Sequence, residues 1–350
     1  GYADTTDYVP VNEPLIFKLP GAEVEDPNRW QPLSFDFRVL QNGIPVGAST
    51  QHFLGLNWGK VRPFALERPG NGFLPLDPGP PPYLGGESEP EFKEAVVEVI
   101  RYSALLDPRF PKEIDVSPGA YYNNSLGTND GEGYPVNPVT GEPYAPNRVL
   151  HADYGHCIAE FWADGPDSET PPGHWNTIAN RMSDRLEDRR LGGDGPALDP
   201  LEWDVRMYFA LNAALHDAAV AGWGSKRHYD YVRPVTMIRY MAGQGQSSDP
   251  LGPSYHPEGL PLEPGLVEVI TAATTAPGER HAHLAGYEGE IALYCWAGEP
   301  EDPATEVSGV DWIRALEWMP YQRFSFVTPP FAAYVSGHST FSRAAAELLT

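Results

Sequence analysis

Apolar residues recur every three to four positions along much of the chain after residue 150, which is the period of an α-helix. In residues 201–223 one such face is formed by Trp203, Met207, Leu211, Leu215, Ala218 and Gly222. We predict further helices over residues 91–106, 151–164, 173–190, 235–242, 266–276, 281–297, 310–319 and 342–350. The alternation of apolar and polar residues that is typical of strands is scarce. The pattern therefore predicts a mainly α fold with a helical bundle as its core.

The first 150 residues have a different character. They are rich in proline, glycine, asparagine and aspartate, and only residues 91–106 show helical periodicity. Loops of this length in a compact chain usually serve a function or wrap a core. We therefore expect an irregular, loop-rich N-terminal region over residues 1–150 that packs on a helical core over residues 151–350.

The net charge of the chain limits which kinds of molecule it can bind. The formal net charge is −24, and only five of the 24 basic residues are lysines. Such an acidic surface repels phosphate backbones and anionic lipids, so we expect no nucleic-acid partner. No apolar run is long enough to span a bilayer, so we also expect no membrane span. Any anion site must then be built by a local cluster of cations.

Two further features concern the chain as a whole. Cys157 and Cys295 both lie in segments that we predict to be helical, and we expect buried thiols rather than a disulfide framework. The sequence begins without methionine or a signal-like segment, and it ends inside a helical pattern without a stop signal. We therefore expect an excerpt of a longer protein.

Two cations stand seven residues apart in the segment SKRHYDYVRP, namely Lys226 and Arg233. Pro234 favours extended backbone at the arginine that precedes it. The two side chains could therefore converge on one anion from different directions. An ordinary solvated basic face is the competing interpretation of this motif.

A second motif, Ser336-Gly337-His338, leads into an alanine-rich helical segment. Ser339 or Thr340 is suited to cap this helix, which would leave the preceding backbone N–H groups directed outward. Gly337 lets the backbone approach an oxyanion, and the serine hydroxyl adds a donor. His338 can move a proton near neutral pH. A capped helix with a hydrogen-bonded histidine is the competing interpretation.

The two motifs together are more specific than either alone. Lys-x6-Arg-Pro, followed roughly a hundred residues later by PPFAAYVSGHSTFS, resembles the vanadium-dependent haloperoxidases and their relatives in the type 2 phosphatidic acid phosphatase superfamily. FWADGPDSETPPGHWNTIANRMSD, NAALHDAAVAGWGSKRHYDYVRP and FLGLNWGKVRPFAL are also similar to bacterial haloperoxidase-type members. The resemblance covers nearly the whole chain and implies a helical-bundle, vanadium haloperoxidase-like core.

The resemblance implies roles for the residues of both motifs. Lys226 and Arg233 would hold the equatorial oxygens of vanadate, with phosphate or sulfate as alternative occupants. Ser336 and the Gly337 N–H would complete this cradle. His338 would be the acid–base group beside the apical oxygen, and Lys226 would also polarise the bound peroxide.

Three other positions match the family pattern less specifically. Trp223 and Phe331 stand where chloroperoxidase-like members line a halide pocket, although core packing explains these aromatic residues equally well. Asp164, or the nearby Asp167, falls where the family places a carboxylate that steadies a later arginine. A turn or capping aspartate is the alternative for either residue.

The family's third block, Ser-Arg-x5-His, supplies a second arginine and the histidine that binds vanadium directly. Ser342-Arg343 has no histidine in that register. We expect this block beyond residue 350, or else the protein is a relative that has lost its metal ligand. No residue of this sequence is therefore assigned as the ligand of the metal.

Three functions remain open. The resemblance implies a haloperoxidase that oxidises halide with hydrogen peroxide at a histidine-bound vanadate, giving hypohalous acid for a small organic acceptor. A soluble acid phosphatase could use the same pocket, because phosphate and vanadate share charge and shape. A secreted binding or scaffold protein that has lost the site is the third hypothesis. A secreted or periplasmic location is favoured, and homo-oligomerisation is left open.

Overall fold

The computed structural model describes residues 7–40, 43–68, 76–120, 133–137, 140–162 and 168–349. Six α-helices lie in these residues: α1 (Glu89–Ala104), α2 (His151–Phe161), α3 (Pro171–Ser183), α4 (Pro200–Tyr229), α5 (Pro234–Gln244) and α6 (Gly337–Leu349). Eight short strands accompany them: β1 (Leu15–Ile16), β2 (Leu33–Val39), β3 (Pro45–Thr50), β4 (Glu113–Asp115), β5 (Arg148–Leu150), β6 (Val267–Val269), β7 (Ile291–Trp296) and β8 (Val310–Arg314). The strands form three sheets, β1-β2-β3, β4-β5 and β6-β7-β8. The fold is mainly α, but it contains more sheet than we predicted.

Three predicted helices are wrong. Residues 266–276, 281–297 and 310–319 supply the antiparallel sheet β6-β7-β8, in which Leu293 pairs with Val267 on one side and with Ile313 on the other. Five of the six residues of β7 are buried. A short apolar run that is buried on both faces has no alternation, so its sequence resembles that of a buried helix.

The bundle core confirms the predicted face of α4. Met207, Leu211, Leu215 and Ala218 are buried, and Trp203 is partly buried at the start of the same face. α4 packs on α6 through the apolar residues of this core, and α3 packs on both helices. The long helix therefore holds its C-terminal turn, which carries the first motif, against the N-terminal turn of α6, which carries the second.

The N-terminal region packs on this bundle at close range. Trp30 is completely buried in the same core, and its backbone N–H donates to the carbonyl of Asp230 at 2.7 Å. Gly59 lies so close to α4 that a Cβ at this position would stand 2.5 Å from Cα of Gly224. The region also contains α1 and the sheet β1-β2-β3, so its loop-rich character and the boundary at residue 150 stay predictions.

A second core joins α1 and α5 to β2, β7 and β8. Cys295 is buried there in a strand and not in a helix, whereas Cys157 is exposed on α2, so the expectation of two buried helical thiols is wrong. Both thiols are free. In the described part of the chain, no helix combines the length and the apolar character that crossing a bilayer requires.

Candidate oxyanion site

The first motif begins in the last turn of α4. Asp230 ends this helix in the left-handed region, with φ 47°, and its N–H donates to the carbonyl of Lys226 at 2.9 Å. The chain then reaches Arg233 at φ −99° and ψ 154°, and Pro234 is the first residue of α5. The backbone at Arg233 is thus extended, as the following proline requires.

Lys226 and Arg233 converge on the segment that precedes α6. Lys226 is 1% exposed, and its Nζ donates to the carbonyl oxygens of Ala332 at 2.8 Å and Ala333 at 3.0 Å. Nε of Arg233 donates to the carbonyl of Phe331. Nζ of Lys226 lies 5.0 Å from the centroid of the Phe331 ring, and Cζ of Arg233 lies 4.9 Å from it. The structure therefore brings the two predicted cations to one aromatic ring.

Neither cation has a carboxylate partner among the residues that the structure describes, since no ion pair there includes Lys226 or Arg233. Burial, and then the charge of Arg233, hold the pKa of Lys226 well below its ordinary value. Burial lowers the pKa of Arg233 to about 9. A buried ammonium beside a half-buried guanidinium, with no counter-ion among the described residues, loses solvation free energy, so the pair favours a bound anion.

The second motif forms the N-terminus of α6, but its cap differs from our prediction. The Ser336 hydroxyl accepts the N–H of Ser339 at 3.2 Å, and the Ser336 carbonyl accepts the N–H and the hydroxyl of Thr340. Ser336 is therefore the cap, because the helix starts at Gly337, whereas we expected it to start after Ser339 or Thr340. Helix geometry gives the N–H groups of Gly337 and His338 no acceptor inside the helix, and such groups are the ones that bind anions at other helix N-termini.

Gly337 places this helix terminus directly beside the first motif. A Cβ at residue 337 would stand 3.4 Å from Cη2 of Trp223 and 3.9 Å from Cε of Lys226. The absence of a side chain lets the N-terminal turn of α6 approach α4. The N-terminal turn of α6 therefore lies next to the Lys226 side chain.

His338 is the second residue of α6. Its ring stands edge-on to Trp162 at 6.1 Å and is hydrogen-bonded to the Trp162 backbone, while its Nε2 is buried with no partner among the described residues. Burial lowers the pKa of His338, and the charges of His174, Lys226 and Arg233 lower it further, against the effect of the Trp162 hydrogen bond. The neutral imidazole is thus favoured near neutral pH, and its Nε2 can accept a proton.

Trp223 and Phe331 pack against each other, with their ring centroids 5.0 Å apart. Both are buried, and the Trp223 indole N–H donates to the carbonyl of Leu54 at 2.9 Å. Nζ of Lys226 lies 5.8 Å from the Trp223 ring as well, so the pair forms an aromatic wall beside the ammonium. Their role in halide binding stays a prediction.

The sequence did not predict some residues of the site, and some residues that it did predict lie outside the described part of the chain. Asp164 and Asp167 are outside the described residues. The carbonyls of Ala332 and Ala333 carry no sequence signal, because every residue has a carbonyl. His174 lies in TPPGHW, part of a segment that resembles the haloperoxidases, but the sequence does not show that this histidine is buried. In the described residues no group of three or more histidine, cysteine, aspartate or glutamate side chains is arranged to hold a metal ion.

Comparisons with known proteins confirm the resemblance. Residues 206–256 and 289–350, which include both motifs, match the family model "VCPO second helical-bundle domain". The apo form of a bacterial vanadium-dependent chloroperoxidase aligns with a TM-score of 0.51 and 18% identity, over 97% of this chain and 47% of that protein. The holo form of a bacterial vanadium-dependent chloroperoxidase aligns with a TM-score of 0.49 and 19% identity, over 99% of this chain and 49% of that protein. A search of curated proteins gives no match.

The chain is therefore vanadium haloperoxidase-like in fold. It spans about half the length of the solved chloroperoxidases that it matches.

Proposed function

We propose that the protein is a vanadate-dependent haloperoxidase, which oxidises halide with hydrogen peroxide to hypohalous acid. One observation carries this proposal: the buried Lys226 and the half-buried Arg233 lie together without a carboxylate partner among the described residues. Buried cations require an anion, and the free N–H groups at the start of α6 suit a tetrahedral oxyanion. Vanadate meets this requirement, as do phosphate and sulfate.

Vanadate, when bound, supplies the centre at which peroxide becomes reactive toward halide. Lys226 has one ammonium proton left after its bonds to Ala332 and Ala333, and this proton would donate to an oxygen of the anion. The terminal nitrogens of Arg233 and the Gly337 N–H would hold other oxygens. The burial of Lys226 limits the access of water to its ammonium, which strengthens its bond to the anion.

His338 would bind and release the proton that the reaction consumes. The overall reaction of hydrogen peroxide with halide consumes one proton for each hypohalous acid and water formed. Nε2 of His338 is buried and without a protein partner among the described residues, so it can hold this proton next to the anion. The aromatic wall of Trp223 and Phe331 would offer the halide a poorly hydrated approach beside the Lys226 ammonium.

The proposal is tested by two assays on the same preparation. The protein depleted of vanadate is supplied with vanadate, peroxide and each halide, and separately with an aryl phosphate. Halogenation that requires vanadate and is inhibited by phosphate supports the haloperoxidase. Vanadate-inhibited hydrolysis of the phosphate ester without halogenation replaces it by the phosphatase. Oxyanion binding without either activity favours the non-catalytic relative.

A further inference from the structure

A cavity of about 690 Å³ lies beside the connection between β7 and β8, and it plays no part in the proposed mechanism. This connection covers residues 297–309, whereas hairpin loops usually have about two to five residues. Connections of such length in a compact fold usually serve a function. Small-molecule sites have volumes of roughly 300–1,000 Å³, so the cavity is large enough for a ligand.

One wall of the cavity is a row of three rings from different segments. His156 lies on α2, Trp296 ends β7, and Tyr321 lies between β8 and α6. The Tyr321 ring packs on the His156 ring at 4.8 Å and edge-on against the Trp296 ring at 4.9 Å. Such a wall can bind the flat apolar part of a ligand, and the faces of aromatic rings attract cations.

The charged side chains that line the cavity are mostly carboxylates. Glu160, Glu299 and Glu306 are accompanied by one guanidinium, that of Arg323. None of the three carboxylates forms an ion pair with another residue that the structure describes. The formal net charge of −24 adds a negative field, which attracts cations and repels anions. The cavity therefore favours a positively charged ligand.

Glu160 is held at the aromatic wall by Tyr321. The Tyr321 hydroxyl donates to Oε1 of Glu160 at 2.7 Å, and Glu160 follows His156 by one helical turn on the same face of α2. Burial raises the pKa of Tyr321, and the bond to Glu160 raises it further, so the hydroxyl stays protonated and keeps donating. Oε2 of Glu160 accepts no hydrogen bond from the described residues, so this oxygen is left for a ligand.

Glu299 is held in a similar way on the connection between β7 and β8. Its Oε2 accepts the backbone N–H of Phe324, while its Oε1 accepts no hydrogen bond from the described part of the chain. The cavity therefore presents negative charge from two segments, α2 and this connection. Val307 on the same connection also lines the cavity and is 92% exposed, which adds an accessible apolar surface.

We propose that this cavity binds a small organic cation, namely an ammonium or amidinium group attached to a flat apolar group. The cationic group would bind Glu160 and Glu299, and the apolar group would lie against the rings of Tyr321 and Trp296. A bare metal ion fits less well, because no group of three or more metal-ligating side chains is arranged for one in the described residues. The inference does not rest on the proposed function, since it involves neither Lys226 nor an oxyanion.

The suitable probe is phenethylamine, which carries an ammonium group on a phenyl ring near neutral pH. Phenethyl alcohol and hydrocinnamate are its neutral and anionic analogues. Calorimetric titration of the full chain near neutral pH should show that phenethylamine binds. The alcohol should bind at least about 10-fold more weakly, as expected for the loss of a charge-assisted hydrogen bond, and the anion more weakly still.

Glu160→Gln should weaken the binding of phenethylamine roughly 2- to 5-fold, as expected for the loss of one exposed charge, and should not weaken that of the alcohol. Glutamine still offers an acceptor to the Tyr321 hydroxyl, so the variant should fold normally. Tyr321→Phe keeps the ring and should keep the affinity. Tyr321→Leu removes the ring and should weaken phenethylamine binding roughly 2- to 5-fold. The melting temperature of each variant shows that it is folded.

Glu258→Gln is the matched control. Glu258 also accepts a tyrosine hydroxyl, that of Tyr240 at 2.6 Å, but it does not line the cavity. The substitution changes the net charge by the same amount as Glu160→Gln, and it should leave the affinity for phenethylamine unchanged. It therefore separates the effect of a carboxylate in the cavity from the general acidity of the protein.

Four outcomes would overturn the inference. Equal affinities for the amine and the alcohol would show a cavity that does not distinguish charge, and no binding of the amine would show that it is not a cation site. Equal losses in Glu160→Gln and Glu258→Gln would show unspecific attraction by the acidic surface. Tightest binding of hydrocinnamate would show that Arg323, and not the carboxylates, selects the ligand. None of these outcomes concerns oxyanion binding at Lys226, so the inference can fail while the proposed function stands.

Discussion

Nζ of Lys226 donates to the carbonyl oxygen of Ala332 at 2.8 Å, and this bond joins two segments that are 106 residues apart in the sequence. The ammonium of Lys226, near the end of α4, is thereby bound to the segment that precedes α6. Its position depends on two backbone carbonyls and two aromatic rings, and not on a carboxylate among the described residues. The charge is held in place but left uncompensated, as an anion site requires.

Lys226→Met should remove the stabilisation that an oxyanion gives the protein. In the wild type, vanadate or sulfate at a hundred times its Kd should add about 2.7 kcal/mol to the free energy of unfolding. Methionine keeps the apolar stem and removes the charge, so the anion should no longer raise the melting temperature. Without anion, the variant should unfold close to the wild-type temperature, because the loss of two hydrogen bonds is offset by the removal of a buried charge. Thermal unfolding with and without anion measures both effects.

The control is Lys60→Met, which changes an exposed lysine. It should keep the anion response of the wild type. A Lys226→Met protein that is still stabilised by the anion would contradict the placement of the site.

His338→Ala should separate catalysis from anion binding. The cradle of Lys226, Arg233 and the α6 N-terminus remains, so vanadate affinity should be largely kept. Turnover should fall about 10²- to 10⁴-fold, the usual contribution of a general acid–base group. Lys226→Ala should lower affinity and turnover together. Vanadate affinity, halogenation rate and melting temperature are measured on each variant.

A stable His338→Ala protein with a near wild-type rate would remove the histidine from the mechanism. A variant that loses melting temperature but keeps its activity per folded molecule would instead identify His338 as a packing residue.

Gly59→Ala should destabilise the protein, because the N-terminal region approaches α4 at this point through backbone alone. The added Cβ would meet Cα of Gly224 at 2.5 Å, so one of the two segments must move. We expect a loss of about 1–3 kcal/mol in the free energy of unfolding, the usual cost of overpacking. Chemical denaturation measures it.

Gly222→Ala on α4 is the matched control. Its Cβ would meet only the Thr340 side chain at 3.9 Å, and alanine favours the helix, so this variant should be neutral or more stable by up to about 1 kcal/mol. Equal effects of the two substitutions would argue against the tight contact of Gly59 with α4.

Asp230→Asn should change how stability depends on pH. Burial raises the pKa of Asp230 to about 6, although the hydrogen bond from Tyr8 and the charges of Arg29 and Arg227 act against this rise. The native state therefore holds a proton, between about pH 4 and pH 6, that the unfolded chain has released, so the free energy of unfolding falls as the pH rises through this window. Asparagine does not titrate, its side-chain oxygen still accepts from Tyr8, and it tolerates the left-handed conformation.

The variant should therefore gain stability relative to the wild type as the pH rises from 4 to 6, by up to about 3 kcal/mol, and the gain should stay constant above that range. Denaturation curves at several pH values test this, with Asp204→Asn on the exposed surface of α4 as the control. A gain that is the same at pH 4 and pH 7 would mean that Asp230 is not the titrating group.

Local patterns in the sequence determined the helices and the two motifs. The apolar face of α4, the proline at the start of α5 and the alanine-rich run of α6 are periodic or positional signals that depend on nearby residues only. The sequence alone also shows Lys-x6-Arg-Pro together with Ser-Gly-His, and the family resemblance follows from these two motifs. These elements could be predicted because their signals depend only on residues that are close in the sequence.

Only the tertiary structure decided the features that depend on distant neighbours. β7 is a strand because its apolar residues are covered on both sides, and periodicity cannot report such burial. Whether Lys226 is solvated or buried, and whether Nε2 of His174 has a partner, depends on which groups approach from other segments. The sequence supplied the cations, whereas folding removed water from Lys226 and left both cations without a carboxylate partner among the described residues, which is the arrangement that the proposed anion site requires.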